Sequence, residues 1–233
     1  MIQHIPIEKV LFFDIETVPQ HGDWSEVPET EKELWDKKTR HQRKDEISSK
    51  EFYDRAGIMA EFGKIICITI AMIDHQSMLK IRSFAGDDEV KMLREFGEIF
   101  NSQRLRDVIL CAHNGKEFDF PWIARRFLIN GMQPPKPFQM FGKKPWEIPH
   151  IDTMELWKFG DYKSFISLEL LAHVFGIPTP KDDIDGSMVS SIYHIEKDLQ
   201  RIVAYCEKDV LTLANIFRRM RQEDLLQRSE NTD

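Results

Sequence analysis

The sequence predicts an α/β protein on a mixed five-stranded sheet, three antiparallel strands followed by two parallel ones, flanked by helices. Three observations lead there. Apolar, β-prone runs recur at Val10–Phe13, Lys64–Met72 and Val108–Ala112, bounded by polar or turn-forming residues. Only a short turn at Asp74-His75-Gln76 separates the second run from another at Met78–Phe84, a connection that makes the two antiparallel. Beyond residue 87, helical spacing alternates with short strands, the pattern of parallel pairing with helices on both faces.

Taken in order, residues 9–16 form the first strand. From about 20 to 60 the chain carries dense mixed charge with few apolar anchors; Leu34 and Trp35 suggest one helix and Ser48 to Ala60 another, so this reads as a helical insertion. Gly63 opens the second strand, and the third returns with Leu79, Ile81 and Ser83 on one face. Asp87 is placed to cap a helix reaching about Gln103, with Val90, Leu93, Phe96, Gly97 and Phe100 at helical spacing. The fourth strand, 108–112, ends at His113-Asn114-Gly115, and a helix from about Phe118 to Asn130 is stopped by Gly131. A loop rich in Pro, Lys and aromatics leads to a short fifth strand at Ile148–Ile151, after which Asp152-Thr153 caps a helix through Trp157. Ser167 caps another over Leu168–Phe175, and a polar loop at Thr179–Gly186 precedes a last long helix, about Ile195–Arg221. A charged tail from about 222 is expected to fray. No internal repeat occurs, so residues 1–233 are expected to make one domain.

Composition narrows the function. A net charge of −7 and a pI near 5.7 argue against a broad basic face gripping duplex nucleic acid. No N-terminal signal pattern and no apolar stretch near the ~20 residues of a membrane helix are found, so a cytoplasmic protein without a membrane partner is expected. Cys67, Cys111 and Cys206 are widely spaced and read as reduced core residues, and the eight histidines show no zinc spacing.

The chemistry starts in the first strand. Asp14 and Glu16 alternate with apolar neighbours and so emerge on one face, one pleat apart. Two such carboxylates repel when buried, and a divalent cation removes that cost because Mg²⁺ and Mn²⁺ prefer oxygen ligands. Alone, D-x-E is equally a strand end with two acids facing water. Asp119 stands at a helix start beyond the end of strand four, where open α/β sheets gather ligands; it could as well be a helix cap. Tyr205 and Asp209, four apart on the last helix, share one face, and could be a packed tyrosine and a solvated acid.

The order D-x-E, then N-x-x-x-F-D over Asn114–Asp119, then Y-x-x-x-D over Tyr205–Asp209 resembles the three exonuclease motifs of the DEDD superfamily in its tyrosine-bearing branch. More narrowly the chain looks like stand-alone relatives of the proofreading 3′–5′ exonuclease domain of family B DNA polymerases, over residues ~9 to ~217, including SLELLAHVFGIP between the second and third motifs. The histidine branch would place His where this chain has Ala204. At 233 residues there is no length left for a polymerase, so proofreading in cis is not expected. The resemblance implies a ribonuclease H-like fold and two ions, Mg²⁺ or Mn²⁺, held by Asp14, Glu16, Asp119 and Asp209. It makes these acids and Tyr205 the catalytic set, with Tyr205 orienting water. It further implies release of nucleoside 5′-monophosphates from the 3′ end of single-stranded DNA, DNA being favoured over RNA. An exoribonuclease on the same scaffold and a non-catalytic nucleic-acid-binding module are the alternatives; protein partners are not indicated.

Thr17, Asn114 and Phe118 lie beside the acids and are candidate contacts to the terminal nucleotide. Lys136, Lys143 and Lys144 interleave with Phe138, Phe141 and Trp146, a candidate single-strand lip. Asp152 and Asp185 are read as a helix cap and a loop residue, outside the metal set.

Overall fold

A computed structural model of the chain describes residues 2–43, 46–105, 107–161, 163–178 and 184–226. Its sheet has the order β3-β2-β1-β4-β5, with β1 at Val10–Pro19, β2 at Gly63–Ile73, β3 at Leu79–Ala85, β4 at Ile109–Ala112 and β5 at Ile151–Asp152. β2 runs antiparallel to both β1 and β3, while β4 is parallel to β1 and β5 to β4. This is the expected mixed sheet. The helices are α1 (Glu29–Arg43), α2 (Glu89–Glu98), α3 (Asp119–Ile129), α4 (Thr153–Lys158), α5 (Leu168–Val174), α6 (Val189–Ser191) and α7 (Leu199–Met220).

Alternation along β1 decides what each face of the sheet holds. Leu11, Phe13 and Ile15 pack with Met92, Leu93 and Phe96 of α2 and Phe120, Ile123 and Phe127 of α3. The opposite row begins with Val10 and Phe12 against Val210, Leu213 and Phe217 of α7, and ends with Val18 against Ile202 and Cys206. Asp14 and Glu16 occupy the two places between. The carboxylates are therefore set into a seam that is otherwise apolar, between the central strand and α7.

The insertion has its own small core. Val27, Trp35, Tyr53, Ala56 and Phe62 cluster, and the Trp35 indole N–H donates to Ser49 O at 2.8 Å. The second helix expected there is a 3₁₀ helix, Glu51–Ile58, and Leu34 faces solvent. The segment is fastened to β1 where the Thr17 hydroxyl donates to Gly57 O at 2.6 Å. Buried Glu89 joins three elements: it accepts from the Ile65 N–H (2.8 Å), from Arg126 Nε (2.9 Å) and Nη2 (2.5 Å), and from Asn130 Nδ2 (3.0 Å).

Several boundaries differ from expectation for local reasons. Asp88 rather than Asp87 caps α2, accepting from the Lys91 N–H at 2.9 Å, while Asp87 takes the Tyr193 hydroxyl at 2.7 Å. α2 ends at Glu98, and a 3₁₀ turn at Ile99–Asn101 follows. β5 keeps only Ile151–Asp152, because pairing is limited to Cys111 and Ala112. α7 starts at Leu199: a π turn over Ile192–Glu196 and Lys197 at φ 60° break the helix, and Asp198 caps a new one. The tail is held as far as Leu226, whose N–H donates to Asn215 Oδ1 at 2.7 Å. Thr179–Asp183 and the tail beyond 226 lie outside the described residues.

Candidate active site

β4 stays beside β1 only as far as the pair Phe12 and Cys111, whereas β2 follows it to Pro19. Beyond Phe12 one edge of the central strand is open, and such a point is where open α/β sheets receive ligands. Asp119 enters it. Its carboxylate accepts the N–H of Ile15, the residue between Asp14 and Glu16, as well as its own N–H. The chain makes this approach by a tight bend: Asn114 is left-handed (φ 61°), and a Cβ on Gly115 would collide with that of Ala112 and press on the Phe120 ring at 3.1 Å. Asp152 braces the bend from β5. It accepts from the N–H groups of Asn114 (2.9 Å) and Lys116 (3.1 Å) while capping α4 through Met154 (3.0 Å) and Glu155 (3.4 Å). That carboxylate is spent on backbone donors, which bears out its reading as a cap; Asp185 likewise serves its own loop through Ser187.

The third side comes from α7. Tyr205 donates its hydroxyl to the Asp209 carboxylate, and the phenol is held neutral, chiefly by burial and then by the charges of Asp209, Glu16 and Asp14. Burial is also the largest influence on Asp14 and Glu16, whose carboxyls are pushed well above the usual range. Next come the other acids: Asp119 and Asp209 act on Asp14, and Asp14 and Asp209 act on Glu16. None of these influences on Asp14 and Glu16 comes from a Lys, Arg or His side chain. Asp119 is raised to about 7, first by burial, with the Asp152 charge adding to it. The four acids proposed from sequence thus converge, and three of them are carboxyls with strongly raised proton affinity.

Cys206 belongs to the same cluster. Its thiol donates to Asp14 Oδ2 at 3.2 Å, and ligand atoms of Asp14, Glu16 and Cys206 all lie within 4.8 Å of one another. Behind it, the Cys67 and Cys206 thiols are hydrogen-bonded neighbours, Thr69 lies 3.7 Å from Cys67, Ser83 is 3.0 Å from Thr69, and Ser83 donates to Glu207 at 2.7 Å. The cysteines are free and buried, as expected, yet Cys206 does more than fill the core. Its spacing from Ile202 and Val210 marks the packed face of α7, but nothing in a sequence says that this face meets a carboxylate.

The weaker candidates divide. Thr17 lies next to the pair, but its hydroxyl proton goes to Gly57. Asn114 is at the bend, its carbonyl accepting from Glu117 (3.2 Å) and Phe118 (3.0 Å). Phe118 is half-buried, 6.2 Å ring to ring from Trp122. In the lysine–aromatic loop, Phe138 is core and Lys136 pairs with Asp107 at 2.7 Å, ahead of β4; Phe141, Lys143, Lys144 and Trp146 stay open to solvent, with Lys144 Nζ 5.3 Å from the Trp146 ring centre. That loop is anchored at the entry of β4, while the acids sit past its exit.

The donor set fits hard divalent ions: oxygen atoms on buried, like-charged groups whose ionisation is costly until a cation arrives. A model of the family described as a predicted 3′–5′ exonuclease related to the exonuclease domain of PolB matches residues 58–230. The chain belongs to that family. The matched residues include Asp119, Tyr205 and Asp209 and begin after Asp14 and Glu16. Among solved structures, the family B DNA polymerase from the hyperthermophilic archaeon Pyrobaculum calidifontis is similar over 88% of this chain, with a TM-score of 0.50 and 16% identity. The chain spans 24% of that polymerase. At this identity the likeness is one of fold, the ribonuclease H-like sheet with its helices. No curated protein matches. Among the described residues, no helix is long and apolar enough to cross a membrane.

Proposed function

We propose that the protein is a divalent-metal-dependent 3′–5′ exonuclease of the tyrosine-bearing DEDD branch. It would take single-stranded 3′ ends, DNA in preference to RNA, and release nucleoside 5′-monophosphates. The observation that carries this reading is the seam of Asp14, Glu16, Asp119 and Asp209, four carboxylates from three elements, in which burial and the neighbouring acids raise the proton affinity of Asp14, Glu16 and Asp119. A binding module has no use for such mutual repulsion.

Asp14, Glu16, Asp119 and Asp209 would hold two ions, Mg²⁺ or Mn²⁺. When bound, such ions supply the positive charge that admits a phosphodiester and the Lewis acidity its hydrolysis draws on. The rest falls to the chain's own groups. The Tyr205 oxygen, its hydroxyl hydrogen bonded to Asp209, accepts a hydrogen bond from the attacking water and aims it at phosphorus. A phenol held neutral at this site is a positioning group, unsuited to taking the water's proton. The Cys206 thiol fixes Asp14, and the Ile15 N–H fixes Asp119, so the acids keep their places as substrate enters. Water adds to phosphorus as the bond to the 3′-oxygen breaks; the water gives up one proton and the departing 3′-oxygen takes one up, so the sum is hydrolysis to a 3′-hydroxyl and a 5′-monophosphate. Thr17, Asn114 and Phe118 line the approach to the terminal nucleotide. Residues 1–233 act as one domain, and three free cysteines suit a cytoplasmic setting.

The test is digestion of matched 5′-labelled DNA and RNA oligomers with Mg²⁺ or Mn²⁺ against a chelator control. A ladder shortening from the 3′ end, faster on DNA and absent with chelator, is expected. Internal cuts, or none, would defeat the proposal.

A further inference from the structure

The turn joining α4 to α5 places a bulky ring in a costly backbone conformation. Phe159 sits in the left-handed region (φ 44°) and is followed by Gly160 at φ 93°. A bulky side chain there costs on the order of a factor of ten in conformational equilibrium. Packing gives nothing back, since Phe159 is 84% exposed. Six residues on, Phe165 is 66% exposed, with Lys158 Nζ lying 4.2 Å from its ring centre.

Local charges leave this platform positive. Glu155 is engaged by Lys116 at 2.7 Å, and exposed Asp161 accepts the Lys163 N–H at 3.2 Å, a single acid beside the Lys158 and Lys163 ammonium groups. Lys158 pairs with no carboxylate among the described residues. The turn is also fastened to the exit of β4. His113, at the exit of β4, bonds Thr153 Oγ1 (2.9 Å) at the start of α4 with one ring nitrogen and Ile166 O (2.8 Å) with the other. Phe165 is thus one residue from a direct link to the strand end that leads into Asn114 and Asp119.

We propose that Phe159, Phe165 and Lys158 form a stacking platform for single-stranded nucleic acid, holding the part of the strand upstream of the 3′ end. Exposed rings accept bases of any sequence, and an ammonium over a ring supplies charge for the backbone. The inference rests on the exonuclease reading and assigns it a second contact region, on a turn that the three motifs do not include.

The experiment separates the two. The p-nitrophenyl ester of thymidine 5′-monophosphate offers one phosphodiester and no upstream strand, so it reports on the acids alone. A 5′-fluorescent (dT)12, followed by anisotropy with Ca²⁺ in place of Mg²⁺, reports on the platform. In Phe159→Asn and Phe165→Ala, ester hydrolysis should stay within twofold of wild type, while (dT)12 affinity falls about 5- to 150-fold per ring. Phe159→Asn should also melt no lower than wild type, because Asn tolerates the left-handed region. Unchanged (dT)12 affinity with intact ester hydrolysis overturns the platform, as does a lowered melting temperature in Phe159→Asn, which would make the ring structural. No ester hydrolysis and no oligomer shortening by the wild type would overturn the exonuclease reading itself.

Discussion

Asp119→Asn should stabilise the metal-free protein, and the gain should grow with pH. Asp119 is buried, with a folded value of about 7 against an ordinary 3.8. A group whose proton is held more tightly in the folded state favours folding at low pH. That contribution is lost as pH rises from the unfolded value through the folded one. A shift of about 3 units corresponds to about 4 kcal/mol once pH exceeds 7, and to about 2 kcal/mol at pH 5. Asparagine keeps an oxygen for the Ile15 N–H and cannot ionise. With part of the gain forfeited to a weaker, uncharged acceptor, a rise of about 4–8 °C in Tm is expected for Asp119→Asn in EDTA at pH 8, falling to near zero at pH 4. Adding Mn²⁺ should reverse the order at pH 8, because the wild type gains the binding energy and the variant loses a ligand. Thermal melts at four pH values, with EDTA and with Mn²⁺, test all of this. A loss of stability that is the same at pH 4 and pH 8 would refute the reasoning, since Asp119 would then be a compensated structural acid.

Asp14→Ala should abolish oligomer shortening with the fold intact by circular dichroism, while Tyr205→Phe should lose about 10- to 1,000-fold in rate; equal losses would contradict their roles. Cys206→Ala removes the donor to Asp14 and should weaken Mn²⁺ binding about 10-fold by calorimetry, with Cys206→Ser, which keeps a donor, within about threefold of wild type. Arg126→Met strands Glu89 and should cost about 3–5 kcal/mol in urea unfolding, whereas an effect under 1 kcal/mol would mean the pair is solvated. Gly115→Ala should lower both Tm and rate, because its Cβ and that of Ala112 claim the same space.

The sheet was legible because β-prone runs and the short turn at Asp74-His75-Gln76 leave few ways to pair strands. Asp14 and Glu16 were legible because period-two alternation puts them on one face whatever lies opposite. What lies opposite was not: the contact of Cys206 with Asp14 depends on how α7 lies across the sheet, which no local pattern encodes. The core of the insertion was hidden for a related reason. Trp35, Tyr53 and Phe62 are far apart in a stretch dominated by charge, and only folding brings their rings within 5.1–5.6 Å of Trp35. The break before α7 escaped notice because Ile192–Glu196 continues the helical spacing and only the backbone at Lys197 departs from it. The platform residues Phe159 and Phe165 fell between two expected helices, where sequence offers no measure of exposure.

Neighbouring residues of α7 reach in different directions: Cys206 bonds Asp14 on the central strand, and Glu207 takes a hydrogen bond from Ser83 on β3, at the sheet's edge. With β2 between them, these strands are about 10 Å apart. A rod held by two side chains about 100° apart around its axis resists rolling, because a roll stretches one of the two bonds. The angular setting of Tyr205 and Asp209 on that rod is therefore governed by a serine at the rim of the sheet, and loosening Ser83 should blur the aim of groups it never touches.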